Sequence, residues 1–243
     1  MAEAAWEKLL PKYRGRLPGG GEFSRTEPGG SPSARIAILG LYPTETQARV
    51  VQLGREKLRL PAAVEARSFE GSAAGEELRS QVMAPLGLGD DQVYLLLAYP
   101  YYLSSDAARG DQSNWGDLKQ WRERSGETDD VLKRPEPAVM ADACRALPGN
   151  LERLTTQLEL CKPTLLFTLG AEVAAFARGC SLAEGQRALY APVERRAIFG
   201  MTLDLVHLAQ PGILTSPLGA GWRAKHEKWS TGEGAALVKR HRI

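Results

Sequence analysis

The stretch Arg35-Ile-Ala-Ile-Leu-Gly40 constrains this chain more than any other. An unbroken apolar run closed by glycine reads as a strand buried on both faces, and parallel sheets are built from such strands. Three more runs follow the pattern: Val93-Tyr-Leu-Leu-Leu-Ala98, Thr164-Leu-Leu-Phe-Thr-Leu-Gly170 and Thr202-Leu-Asp-Leu-Val-His-Leu208. Helical stretches alternate with them. Thr44–Lys57 places Ala48, Val51 and Leu53 among polar residues, and Glu76–Leu86 runs up to Gly87-Leu-Gly89. In Leu151–Cys161 the residues Leu151, Leu154, Leu158 and Cys161 recur at helical spacing. Ala171–Arg178 follows the third apolar run, and Trp222–His241 forms a last helix interrupted near Gly232-Glu-Gly234. Strands separated by helices imply an α/β fold, a three-layer α/β/α sandwich on a mostly parallel four-stranded sheet.

At 243 residues the chain has room for one large domain. Residues 1–34 read as a short amphipathic helix and a Gly/Pro/Ser-rich linker, leaving 35–243 as the folded domain. Residues 104–137 are polar, carry Trp115 and Trp121, and read as a loop excursion with a short helix. The net charge of +2 leaves nucleic-acid binding to local basic patches. The three cysteines, Cys144, Cys161 and Cys180, include no C-x-x-C pair and so point to neither a zinc ribbon nor an iron–sulfur cluster. They read as reduced, buried thiols. No cofactor and no metal are expected. Without a secretory pattern or a long apolar run, the expectation is a cytoplasmic monomer with no membrane partner.

In a parallel sheet of this kind, sites lie at the carboxyl ends of the strands. That points to the loops after Gly40, Ala98, Gly170 and His207. Read in order, these loops resemble the uracil-DNA glycosylase superfamily. Gly40-Leu-Tyr-Pro43 is similar to its G-x-x-P loop. Arg67-Ser-Phe-Glu-Gly71, with Gly75 and Leu78, resembles an R-x-F-x-G…G-x-x-L stretch of some branches. Tyr94–Ala98 matches a strand that often ends in Asn, and Pro163–Ala171 resembles a strand with an L-G-x-x-A turn. Val206-His-Leu-Ala-Gln-Pro-Gly212 resembles an H-P-S-type closing loop. The resemblance spans roughly residues 34–240. It implies a DNA partner, duplex or locally opened, and removal of a base from it.

The departures narrow that implication. Tyr42 stands where many members carry an acid or amide, Ala98 replaces the base-reading Asn, and Leu208 and Ala209 replace Pro and Ser. The resemblance therefore implies a bulky modified base rather than uracil, such as a glycosylated hydroxymethylcytosine of phage DNA, in an anti-phage role.

Breaking an N-glycosidic bond needs a carboxylate or base near the sugar and water, and a donor for charge developing on the departing base. The resemblance places His207 as the donor. Glu45, at an expected helix start, and Glu70, beside Ser72 where one branch holds its catalytic Asp, are the candidate acids, with Asp106 and Asp111 behind them. The candidate base pocket comprises Leu41, Tyr42, Thr44, Ala98, Tyr99, Asp111 and Asn114. The candidate DNA contacts are Gln210, Thr215, Ser216, Arg223 and Lys225. Two other readings use the same residues: a catalytically silent relative that binds DNA or a modified base, and a nucleoside- or nucleotide-processing enzyme.

Overall fold

The computed structural model describes residues 26–53, 55–64, 67–101, 103 and 134–242, with backbone alone for 45–53 and 56–64. In chain order the strands are β1 (Gly29–Gly30), β2 (Ile36–Gly40), β3 (Glu45–Leu53), β4 (Glu56–Val64), β5 (Val93–Leu97), β6 (Leu165–Leu169), β7 (Glu194–Ile198) and β8 (Met201–Leu208). The α-helices are α1 (Ala73–Leu78), α2 (Pro137–Ala146), α3 (Asn150–Cys161), α4 (Ala171–Arg178), α5 (Leu182–Ala188), α6 (Pro211–Thr215), α7 (Ala220–Trp229) and α8 (Ala235–His241).

The four apolar runs form the parallel centre of the sheet: β5 pairs with β2, β2 with β6 and β6 with β8. Every residue of β2, β5 and β6 is buried, as continuous apolar runs require. Helices cover both faces. Met140 and Cys144 of α2, Leu154 and Leu158 of α3, and Val173 and Phe176 of α4 pack on one face. Leu78 of α1, Trp229 of α7, and Leu237 and Val238 of α8 pack on the other.

The sheet has six strands, in the order β1-β5-β2-β6-β8-β7, where the sequence suggested four. Both additions are antiparallel edges. Residues 26–34, expected as linker, run along the sheet: β1 pairs with β5, and Thr26 N–H donates to Pro100 O at 2.8 Å. β7 carries Glu194, Arg195 and Arg196, charges that suit an edge and hide the strand from an apolar search. It joins β8 through Phe199-Gly200, both at positive φ (46° and 77°), the geometry of a tight hairpin turn.

A second difference lies at Thr44–Lys57. No helix forms there. β3 and β4 make a two-stranded hairpin that closes from Leu53 to Glu56, outside the main sheet. Val50-Val51 favours strand, which suits the hairpin. Near the C-terminus the helix is not interrupted: a π-turn, Ser230–Gly234, carries α7 into α8. Gly234 has a packing reason, because a Cβ there would come within 2.7 Å of the Trp229 ring.

Gly40 has a similar role at the end of β2. A Cβ would overlap Phe69 Cζ, and Phe69 itself is held at φ 65°. Gly40→Ala is expected to cost about 1–3 kcal/mol through overpacking. Urea denaturation checks this, and an unchanged midpoint would show that Phe69 moves aside freely.

Candidate functional site

The chain leaves β2 toward β5 on one side and later enters β6 on the other. This reversal makes a topological switch point, where the loops after β2 and β6 diverge and a ligand crevice can open. The groups that meet there come from distant parts of the sequence. Tyr42, half-buried, lies in the loop after β2. The Arg134 guanidinium lies over the Tyr42 ring, 5.4 Å from its centroid. Arg134 Nη2 donates to Glu172 Oε1 at 3.2 Å. Glu172 stands in the first turn of α4, directly after the β6 exit. Gly170 keeps φ at 93°, and a Cβ there would be 3.5 Å from Glu172 Oε2 and 3.7 Å from Gln210 Cβ. One tyrosine, one ion pair and the loop leaving β8 therefore converge at the carboxyl edge.

The side chains of the pair are 29% and 16% exposed, so they are screened from water without being sealed from it. Arg134 Nε is buried with no hydrogen-bond partner among the described residues. A buried donor of this kind carries a desolvation cost until an acceptor arrives. The Tyr42 phenol is raised above its ordinary pKa, chiefly by burial, with Arg134 pulling down and Glu172 pushing up. It is thus a neutral hydroxyl at physiological pH. Next to this cluster the β2 and β5 exits are zipped together, Ala98 N–H donating to Gly40 O at 2.8 Å and Tyr99 N–H to Leu41 O at 2.7 Å.

His207 occupies a different place from the one expected. It lies inside β8, 2% exposed, with both ring nitrogens engaged. Nδ1 is 2.6 Å from Thr168 Oγ1 and Nε2 is 3.0 Å from Glu194 Oε1, which also receives Arg178 Nη1 at 2.7 Å. Burial holds the ring below the ordinary histidine range despite the carboxylate. The neutral ring therefore donates from Nε2 to Glu194 and accepts at Nδ1 from the Thr168 hydroxyl. The strand exit that the histidine was expected to occupy is held by Gln210, exposed, just before the helix-opening Pro211.

The other expected residues separate into groups. Glu45 opens β3, a strand and not the expected helix. Glu70 is exposed on the turn between Phe69 and Gly71. Ser72 caps α1, accepting from Gly75 N–H at 3.1 Å. Leu41 and Thr44 are half-buried beside Tyr42, whereas Ala98 is wholly buried in the core and Tyr99 nearly so. Ala98 thus packs the interior and does not enlarge a base pocket. Asp106, Asp111 and Asn114 lie outside the described residues. Cys144 and Cys161 are thiols pushed up to about 12 by burial, which removes them as nucleophiles.

The expected DNA contacts brace a loop. Thr215 Oγ1 donates to Glu77 Oε1 at 3.0 Å, and Ser216 Oγ accepts from Leu218 N–H at 3.2 Å. Arg223 donates to Leu214 O at 2.6 Å and Ser216 O at 3.2 Å. Lys225 donates to Leu189 O at 3.1 Å, with its ammonium 5.6 Å from the centroids of both Tyr190 and Trp222. Gly219 closes the turn so tightly that a Cβ would overlap Ile213 O. The tip of this rigid loop is Leu218, 91% exposed.

Sequence reasoning missed Arg134, Glu172 and Leu218. Glu172 sits in a loop region that the carboxyl-edge rule marks, but its partner is 38 positions away. Leu218 lies in Ser216-Pro-Leu-Gly219, where polar neighbours drew attention first. Among the described residues no group of His, Cys, Asp and Glu is arranged to hold a metal ion, and no helix is long and apolar enough to cross a membrane. No protein-family model matches the chain, and no curated protein matches it significantly.

Proposed function

We propose that the protein is a DNA glycosylase that flips out a modified base and hydrolyses its N-glycosidic bond. The observation that carries this reading is Leu218, an apolar side chain 91% exposed on a braced turn. That turn belongs to the loop leaving β8, at the same sheet edge as the Tyr42–Arg134–Glu172 cluster. Burying leucine is worth about 1.5–3 kcal/mol, so a partner that covers this side chain would gain from it. An apolar wedge inserted between base steps is such a partner, and it lowers the cost of flipping a nucleotide. The resemblance in Gly40–Pro43, Arg67–Gly71 and Pro163–Ala171 points the same way, and the departures at Tyr42, Leu208 and Ala209 favour a modified pyrimidine as substrate.

The test is base release. Phage DNA carrying glucosylated 5-hydroxymethylcytosine, and synthetic duplexes carrying uracil, are incubated with the protein and then cleaved at abasic sites with hot alkali. Release from the phage DNA is expected, and abasic sites in neither substrate would overturn the reading. Leu218→Ala should slow release from duplex DNA by about tenfold, a fraction of the flipping cost, and spare single-stranded DNA.

A second reading, a relative that binds DNA without cleaving it, is favoured by one observation. His207, the expected catalytic donor, is sealed in the sheet. DNA binding without base release would support it.

A further inference from the structure

We infer that Glu172 and Arg134 form the catalytic pair, the carboxylate acting on the attacking water and the guanidinium on the departing base. The inference rests on the glycosylase reading above and names an acid and a donor from among the described side chains.

Three observations carry it. The pair stands at the switch point between β2 and β6, where open α/β sheets place their ligand sites. Among the described residues, the only hydrogen bond of the Glu172 carboxylate is to Arg134 through Oε1, which leaves Oε2 for water. The Arg134 guanidinium covers the Tyr42 ring, and its buried Nε has no acceptor among the described residues. A flat base stacked near Tyr42 would present its carbonyl or ring nitrogen to that donor.

Among the described residues, two other carboxylates are engaged elsewhere. Glu194 is bound to His207 and Arg178, and Glu77 accepts from Thr215. Glu70 is an exposed turn residue.

The step balances with water alone. The water oxygen bonds to C1′ of the flipped nucleotide as the C1′–N bond breaks. The electron pair of that bond leaves with the base, and Arg134 meets the negative charge that develops there. The water proton passes to Glu172. The released base anion takes a proton from solvent, and Glu172 returns its own to solvent.

The test compares single-turnover release of base from phage DNA carrying glucosylated 5-hydroxymethylcytosine with binding of the same DNA. Glu172→Gln is expected to slow release by roughly 10²–10⁴-fold, the usual contribution of a general base, with binding within about threefold of wild type. Wild-type release with Glu172→Gln release unchanged would overturn the pair and leave the glycosylase reading standing. Loss of binding in Glu172→Gln along with release would also overturn it, because Glu172 would then be a structural group. No release by the wild-type protein would overturn the reading and the pair together. Should Glu172→Gln melt well below wild type, Arg134→Gln tests the other half. Release is expected to fall at least tenfold with binding kept, and an unchanged rate would overturn the pair.

Discussion

Replacing Arg153 with alanine is expected to lower the stability of the fold by roughly 3–5 kcal/mol, because buried polar groups that lose a charged donor are costly. Arg153 is 2% exposed and lies on α3 under the end of β5. The parallel ladder between β2 and β5 ends at Gly40 and Leu97, so the next carbonyls need other donors. Arg153 Nη2 donates to Leu97 O at 2.7 Å and to Asn150 Oδ1 at 2.7 Å, and Nη1 donates to Gln157 Oε1 at 2.8 Å. Asn150, held in place by Arg153, donates from Nδ2 to Ala98 O at 2.8 Å and to Cys144 O at 2.7 Å. One guanidinium thus ties α2, α3 and the β5 exit together. Its loss leaves Leu97 O, Asn150 Oδ1 and Gln157 Oε1 buried without that donor, at about 1–3 kcal/mol each before water enters the cavity. Lysine keeps the charge but not the planar fork, so Arg153→Lys should recover only part. Urea denaturation measures both variants. A midpoint for Arg153→Ala equal to wild type would show that the carbonyls find other donors at no cost.

The layers of this fold were legible because burial writes itself into the sequence. β2, β5 and β6 are apolar throughout because helices cover both faces, and α4 spans Ala171–Arg178 as its spacing indicates. What the pattern misses is structure held by other means. β1 is two glycines paired through backbone, and β7 is charged because it is an edge. Ala48, Val51 and Leu53 fit a helical face, yet the alternation Leu58, Leu60 after them is that of a strand, and the two segments pair. The burial of His207 was itself readable. Leu203, Leu205 and His207 alternate along one strand, so the histidine shares a face with two core leucines. A resemblance to a loop motif outweighed that parity. Arg134 and Glu172 could not be joined from sequence, since the contact depends on the packing of segments 38 positions apart.

Acidification from pH 7.5 to 5.5 is expected to destabilise the protein, with histidine as the cause. The chain has three histidines, and burial pushes all three below the ordinary range. His207 faces Glu194, Arg178 and Arg196; His241 faces Asp204, Arg240 and Arg35; His226 faces Tyr190 and Glu227. The carboxylates act against burial without overcoming it. Each ring is therefore neutral when folded and takes a proton near pH 6.5 when unfolded. Between the folded and unfolded pKa values the unfolded chain binds more protons, so stability rises with pH there. The contribution is fully present above about pH 6.5 and is lost as the pH falls from there through the folded values. The slope can reach about 1.4 kcal/mol per pH unit for each histidine, hence roughly 4 kcal/mol per unit if all three titrate together. Most carboxylates stay ionised at pH 5.5, so the window isolates the imidazoles. Protonating His207 also puts a proton on Nδ1, which then meets the Thr168 hydroxyl as a second donor and forces it to turn. Urea midpoints at the two pH values test the expectation, and His241→Gln should flatten the dependence by removing one titrating group. Equal or greater stability at pH 5.5 would mean that Glu194 and Asp204 hold their histidines charged in the fold, reversing the assignment of donors along both chains.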